Sequence, residues 1–137
     1  MTITRGWVQR WSAAPERTVI VDARDGSILA GADLLARTAS AASVLAAAGA
    51  APGDRVLLSC GPSPETVIAY AAILRLGAAV VPANTGYTRG ELEHIVGDVR
   101  PAVAVVDDPA RVEGLGVRAV TLEDLAADDP AADPTLD

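Results

Sequence analysis

Short apolar runs alternate with longer segments of helical periodicity along most of this chain. The runs predict six strands, at residues 18–22, 27–29, 55–59, 78–81, 102–106 and, more weakly, 117–120. The first two flank Arg24-Asp25-Gly26, a sequence typical of a hairpin turn. The third to fifth strands are apolar at almost every position, which indicates burial on both faces of a sheet.

Three helices are predicted between these strands. The first, at residues 33–48, has one apolar face and is followed by Gly49, a residue typical of a helix C-terminus. The second, at residues 65–76, follows Ser63 and Pro64, which suit the N-cap and the first helical position. Because this second helix is apolar nearly all round, we expect it to be buried on more than one side.

The third helix opens with the capping box Thr88-Arg89-Gly90-Glu91 and ends before Pro101. Helices placed between doubly buried strands indicate an α/β fold, with an open, mainly parallel sheet and βαβ crossovers, preceded by a β-hairpin. We assign residues 1–125 to one α/β domain. Residues 126–137 consist mostly of Ala, Asp and Pro, and they predict an acidic, extended tail or linker.

The net charge of -7 is confined to the last 31 residues, which hold two Arg and nine acidic residues, while the first 106 residues balance. The chain has no basic patch, so its composition speaks against nucleic acid or an anionic membrane as partner. A single Cys excludes an internal disulfide and favours a reducing compartment. No apolar segment is long enough for a membrane span or resembles a signal peptide, and we expect a cytoplasmic protein.

Four local features contain residue types that occur in binding or catalytic sites. The turn at residues 61–64 precedes a helix N-terminus, where anions bind in α/β folds, but its two prolines remove N–H groups and favour a purely structural cap. Asp107 and Asp108 follow a strand but lack the Lys that a receiver-type metal site requires. Cys60 is expected to be a buried thiol at a strand end, and His94 a solvated surface residue. The sequence therefore assigns no catalytic, cofactor-binding or metal-binding residue.

Several motifs occur in the order and spacing of a known family. Residues 49–56 read Gly-Ala-Ala-Pro-Gly-Asp-Arg-Val, and Ser63-Pro64-Glu65 starts a helix. Residues 73–88 read Ile-Leu-Arg-Leu-Gly-Ala-Ala-Val-Val-Pro-Ala-Asn-Thr-Gly-Tyr-Thr. From about Ala14 to Val106 the chain resembles the N-terminal part of the adenylate-forming (AMP-binding) ligases, and within them most resembles the acyl-CoA synthetases.

The resemblance implies a two-step reaction. A carboxylate attacks the α-phosphate of ATP, and CoA then displaces AMP from the acyl-adenylate, with Mg²⁺ supporting the phosphoryl chemistry. The family's ATP loop, ribose-binding Asp and catalytic Lys correspond to positions beyond Asp137, and this chain contains no Lys. We therefore expect a structural N-terminal piece, inactive alone and completed by the rest of the ligase or by a partner chain.

A stand-alone, non-catalytic interaction or regulatory module of the same fold is the alternative, and either reading predicts self-association of the isolated chain. The sequence also departs from the family pattern in its scaffold. Ala30 and Gly31 stand where the family has Thr and Tyr, which removes a helix cap worth about 1 kcal/mol, and Ala83 replaces a Leu.

Overall fold

A computed structural model describes residues 2–136. Its elements follow the predicted alternation of strands and helices. They are α1 (Arg5–Ala13), β1 (Thr18–Val21), β2 (Ile28–Ala30), α2 (Gly31–Ala47), β3 (Arg55–Ser59), α3 (Pro64–Arg75), β4 (Ala79–Pro82), α4 (Arg89–Val99), β5 (Val103–Val106), β6 (Arg118–Val120) and α5 (Leu122–Leu125). A short 3-10 turn at Pro109–Arg111 connects β5 to β6.

The four later strands form one parallel sheet in the order β4-β3-β5-β6. Successive residues of the central strands point to opposite faces, as the period of two requires. Val56 and Leu58 of β3 join a core beneath α2 and α3, whereas Leu57 joins a second core beneath α4. Both faces are therefore covered, which confirms the α/β class predicted from the doubly apolar strands.

The two early strands form a separate antiparallel hairpin, also as predicted. Val21 of β1 pairs with Ile28 of β2, and Thr18 pairs with Ala30 across an irregular register. Ile20 and Leu29 pack against the main core. The hairpin is therefore attached to the body of the protein by one face only.

Helix α1 is absent from the sequence-based prediction. It carries a single buried residue, Val8, and its apolar content consists mainly of Trp7 and Trp11. These two rings lie 6.2 Å apart between centroids, one helical turn from each other. A short helix with two half-buried aromatic residues lacks the repeating apolar stripe on which a periodicity argument depends, and its packing on α2 supplies the missing stability.

The C-terminal segment corrects a second expectation. The composition of residues 126–137 predicts an acidic, extended tail or linker, yet the described part of this segment, residues 126–136, lies against α2 and α3. The Asp129 carboxylate accepts a 2.6 Å hydrogen bond from the Ser43 hydroxyl, and Leu136 packs against the core. Hydrogen-bonding partners on the helices hold the segment in place, and composition does not reveal them. In the described part of the chain, every helix is too short or too polar to cross a membrane.

Candidate functional site at the carboxyl edge of the parallel sheet

The carboxyl ends of β3, β4 and β5 meet at one edge of the parallel sheet, the place where open α/β folds bind ligands. Three connections leave the sheet there, at residues 60–63, 83–88 and 107–111. These connections contain three of the four local features that the sequence offers as candidate sites: Cys60, the turn at residues 61–64, and the pair Asp107 and Asp108. This edge is therefore the candidate site, and the question is whether its polar groups are available to a ligand.

Arg111 is the organising side chain of this edge. Its Nη1 donates to the Ser59 carbonyl at 3.1 Å and to the Ser59 hydroxyl at 2.9 Å. Its Nη2 donates to the Thr85 carbonyl at 3.2 Å. One guanidinium thus connects the end of β3, the turn after β4 and the 3-10 turn after β5. Those donors are occupied by the chain's own carbonyls, so Arg111 positions the loops instead of presenting a free cation.

The turn at residues 61–64 is closed in the same way. The Asp107 carboxylate accepts a 3.1 Å hydrogen bond from the Gly61 N–H. The Ser63 hydroxyl accepts from the Thr66 N–H at 3.1 Å, and this contact caps α3. The Thr66 hydroxyl in turn donates to the Gly61 carbonyl at 2.6 Å. The predicted structural cap is confirmed, and the N–H groups of Gly61 and Thr66 are bonded within the protein.

Asp108, the second carboxylate of the acidic pair, caps the following turn by accepting from the Ala110 N–H at 2.9 Å. Asp107 and Asp108 thus bond to the backbone at two different loops. Among residues 2–136 there is no group of three or more His, Cys, Asp and Glu side chains that could hold a metal ion. A metal role for the pair therefore has no support in the geometry.

Cys60 lies at the end of β3 and is half-buried. Its Sγ is 3.6 Å from the Val105 carbonyl, to which the thiol can donate. Burial raises the pKa of the Cys60 thiol to about 12, and the negative charge of Asp107 adds to the shift. The group is a protonated thiol at neutral pH, which argues against a nucleophile, and it is half-buried where the sequence predicts a buried thiol.

His94 lies on the exposed side of α4, as expected from its polar neighbours. It borders a shallow depression that also includes Tyr87 and Glu91. The Glu91 carboxylate accepts from the Thr88 N–H at 2.7 Å and completes the predicted capping box. The depression is thus built on a helix start whose polar groups serve the helix.

These residues do not fit the ATP, Mg²⁺ or CoA that the sequence resemblance implies. Pro62 and Pro64 have no N–H to offer a phosphate, the Gly61 and Thr66 N–H groups are bonded within the protein, and the acidic pair is divided between two loops. Arg111 is bound to carbonyls of its own chain. The contacts of these side chains hold the loops of the edge together, and no catalytic step can be derived from them.

Comparison with known proteins identifies the scaffold. The profile of the AMP-binding enzyme family matches residues 7–136, nearly the whole chain. The chain belongs to the AMP-binding enzyme family. This confirms the resemblance drawn from the motifs at residues 49–56 and 73–88.

Relatives within the family differ in what they act on. The salicyl-AMP ligase/salicyl-S-ArCP synthetase of Mycobacterium tuberculosis is 34% identical over 132 residues, which are 94% of this chain and 22% of that protein. Acetyl-coenzyme A synthetase 2 of Candida glabrata is 30% identical over 106 residues, which are 74% of this chain and 16% of that protein.

Among solved structures, apo MatB from Rhodopseudomonas palustris has 30% sequence identity and a TM-score of 0.78. The match covers 93% of this chain and 28% of the MatB chain. This AMP-binding family chain therefore spans about a quarter or less of the length of these relatives.

The scaffold departures of this family member have a local explanation. Ala30 offers no capping side chain, but the Asp33 carboxylate accepts from the Ala30 N–H at 2.8 Å, so half of a capping box remains. A Cβ atom on Gly31 would lie 2.9 Å from the carbonyl oxygens of Trp11 and Ala14. The family's Tyr is impossible here because α1 passes directly over this position.

Arg75 is the polar residue that sequence reasoning missed. It is fully buried on α3, where its Nη1 donates to the Thr38 hydroxyl at 2.6 Å. Its Nε and Nη2 donate to the carbonyls of Leu136 and Pro134, both at 2.7 Å. The available signal was an Arg within the last turn of a helix that is otherwise almost entirely apolar. Arg75 binds the C-terminal segment to α2 and α3.

Proposed function

We propose that this chain is the N-terminal segment of a carboxylate-activating, AMP-forming ligase. In this proposal, residues 1–137 form one wall of the large domain, and the catalytic groups are supplied by the remainder of the ligase. The observation that carries it is the family match over residues 7–136, which accounts for about a quarter or less of the relatives' length.

The hydrogen bonds at this edge of the sheet support the structural part of the proposal. Arg111 and Asp107 bond to backbone groups of neighbouring segments, and Asp108 bonds to the backbone of its own loop, which rigidifies the edge. ATP, Mg²⁺ and CoA would accordingly bind to residues outside this chain. This arrangement suits a supporting wall, which must keep the sheet in place while other segments perform the chemistry.

Within the family we favour the acyl-CoA synthetase branch. The motif Asn84-Thr85-Gly86-Tyr87-Thr88 resembles the acyl-CoA synthetases most, and acetyl-coenzyme A synthetase 2 of Candida glabrata is 30% identical to the chain. The salicyl-AMP ligase, which is 34% identical, makes aryl-acid activation the competing specificity.

The test is ATP–pyrophosphate exchange, because exchange reports adenylate formation whatever acceptor follows. The native polypeptide that contains this sequence and the isolated 137-residue chain would each be assayed with short-chain, long-chain, malonic and salicylic acids. The proposal predicts exchange for the native polypeptide, with an aliphatic acid preferred, and none for the isolated chain. Exchange with salicylate alone would contradict the acyl-CoA branch. Exchange by the isolated chain, or none by a longer native polypeptide, would contradict the proposal itself.

A further inference from the structure

Exposed apolar side chains are concentrated on one side of the molecule. Seven large hydrophobic residues are exposed among residues 2–136, and five of them lie on the hairpin or on the outer side of α3. We name these five the open face: Val19, Val21, Ile28, Val67 and Tyr70. Concentration of this kind distinguishes a contact surface from the scattered apolar residues of an ordinary protein surface.

A groove deepens the open face. It runs between α1 and α3, with Trp7 and Trp11 on one side and Val67 and Tyr70 on the other. Ile20, Leu34 and Ala71 also line it, so its surface is almost entirely apolar. Two Trp side chains beside an aliphatic floor are typical of the centre of a protein–protein interface.

The sequence pattern indicates that this face is built to be covered. Helix α3 is apolar nearly all round, a pattern typical of helices buried on all sides, yet Val67 and Tyr70 are 50% and 45% exposed. The hairpin is similar. Ile20 packs inward, while the next residue, Val21, is 60% exposed. Ile28, the cross-strand partner of Val21, is 58% exposed. Strands that are apolar on both faces belong between two layers.

The charges at the rim favour an apolar occupant. Arg24 in the hairpin turn bonds to Asp22 at 2.6 Å and lies 3.9 Å from Glu65 at the start of α3. One guanidinium thus faces two carboxylates, and these contacts fix the hairpin turn beside the helix. The open face itself has no charged member, so it would attract neither a nucleic acid nor a charged peptide.

We infer that the open face is the surface on which the remainder of the ligase packs, as a hydrophobic layer that covers α3 and the hairpin. This inference rests on the proposed function. The occupant follows from the size of the relatives: the fold matches MatB over 93% of this chain but only 28% of that one, so most of such a protein lies outside this unit. The hairpin also has only two strands, so each strand keeps one edge without a strand partner in the described part of the chain.

Hydroxyl-radical footprinting can test the inference without any mutation. The chain has two Tyr residues of nearly equal exposure, Tyr70 at 45% on the open face and Tyr87 at 41% elsewhere. Oxidation of each would be measured by mass spectrometry in the native polypeptide and in the isolated 137-residue chain. We expect the Tyr70-to-Tyr87 oxidation ratio to be at least about five-fold lower in the native polypeptide, because an interface core excludes solvent.

A charged substitution provides the second measurement. Val21→Arg should leave the melting temperature of the isolated chain nearly unchanged, because the side chain is exposed there, but should lower that of the native polypeptide by several degrees. Ile3→Arg is the matched control, since Ile3 is an equally apolar side chain outside the open face, and it should have little effect in either protein.

The outcomes separate this inference from the proposed function. A longer native polypeptide that catalyses exchange but shows an unchanged Tyr70-to-Tyr87 ratio and tolerates Val21→Arg would overturn the inference and leave the function standing. A native polypeptide of only 137 residues would overturn both. Protection of Tyr70 that appears in the isolated chain as its concentration rises, and disappears with Val21→Arg, would make a second copy the occupant and overturn the inference.

Discussion

The parallel sheet and the hairpin are made of the same residue types but differ in what covers them. Every residue of β5 is buried, whereas β1, in which all four residues are β-branched, is exposed at three of its four positions. Strand β5 lies between two helical layers, and β1 has a layer on one side only. The comparison teaches that the sheet half, which is the parallel sheet with its helices, buries its central strands on both faces within this chain. The hairpin half, which is the hairpin with α1, is covered on one face only.

The largest expected effect concerns what closes the sheet half. Removing residues 127–137 deletes the carbonyls of Pro134 and Leu136, which accept hydrogen bonds from the buried Arg75 guanidinium. We expect the free energy of unfolding to fall by about 3 kcal/mol, because buried charged donors would lose their partners.

Urea denaturation of the full-length and truncated chains measures this loss, and Arg75→Met provides the matched background. With Arg75 replaced, the same truncation should cost at most about half as much, since no guanidinium remains to lose the two carbonyl acceptors. An equal cost in both backgrounds would mean that the segment acts independently of Arg75.

The rate of alkylation by iodoacetamide can be compared between a cysteine in the sheet half and a cysteine in the hairpin half. The pKa of Cys60 is raised to about 12, so its thiolate is scarce at pH 8. A cysteine at Val21, introduced as Val21→Cys in a Cys60→Ser chain, would be exposed and have an ordinary pKa near 8.5. The higher nucleophilicity of a basic thiolate offsets part of the scarcity, so iodoacetamide should alkylate the Val21→Cys variant about 100-fold faster than Cys60. Rates within a few-fold of each other would refute the contrast.

The same truncation made in a strand of each half measures burial directly. Val105→Ala in β5 removes methyl groups from a fully buried side chain and should cost about 2 kcal/mol. Val21→Ala in β1 should change the stability of the isolated chain by less than about 0.5 kcal/mol. Thermal or urea unfolding gives both values. Equal costs would show that Val21 is already covered in the isolated chain.

A glycine substitution sharpens the comparison by showing that the hairpin half is open on its outer face alone. Gly31→Ala places a Cβ 2.9 Å from two carbonyl oxygens of α1 and its following residue, and should cost about 1.5 kcal/mol. Gly97→Ala is the control, because nothing lies within 4 Å of the new Cβ in α4. The control should gain about 0.5 kcal/mol from helix propensity. If urea denaturation showed that both variants are less stable, the cost of Gly31→Ala could not be assigned to a close contact between residue 31 and α1.

The smallest effect concerns the hairpin turn. Hydrogen bonds from Arg24 lower the pKa of Asp22 from its ordinary value to about 2. A lowered carboxyl pKa adds stability above the unfolded-state value near 4, and that stability is lost as the pH falls toward 2. The melting temperature of the Asp22→Asn variant should therefore be slightly lower than that of the unmodified chain at pH 6. Near pH 2 the two melting temperatures should be the same. A constant difference would contradict the assignment, and Glu93→Gln, on the exposed side of α4, controls for the loss of one charge.

Much of the fold could be predicted from sequence because local signals and burial agree in the sheet half. The bounds of β3 are as predicted, and those of β4, β5 and α3 differ by one residue at each changed end. Ser63 and Thr88 cap their helices through the contacts that their sequence positions indicate. Where a residue type, a turn and an apolar run favour the same element, tertiary contacts only reinforce the choice.

The remainder could not be predicted because it depends on contacts between distant segments. Helix α1 is stabilised by packing on α2, and the tail by Arg75 and Ser43, partners more than fifty residues away in the tail's case. The Arg111 contacts that organise the carboxyl edge likewise join loops that are far apart in sequence. Conversely, the sequence predicted cover on more than one side of α3, and the exposed Val67 and Tyr70 mark where that cover is lacking in this chain.

The intact mass of the native polypeptide that contains this sequence tests the central claim most directly. The account predicts a species several hundred residues longer than 137, because the chain spans 28% of MatB and 22% of the salicyl-AMP ligase. A native species of 137 residues would contradict it, since the hairpin half would then have no remaining ligase to cover it.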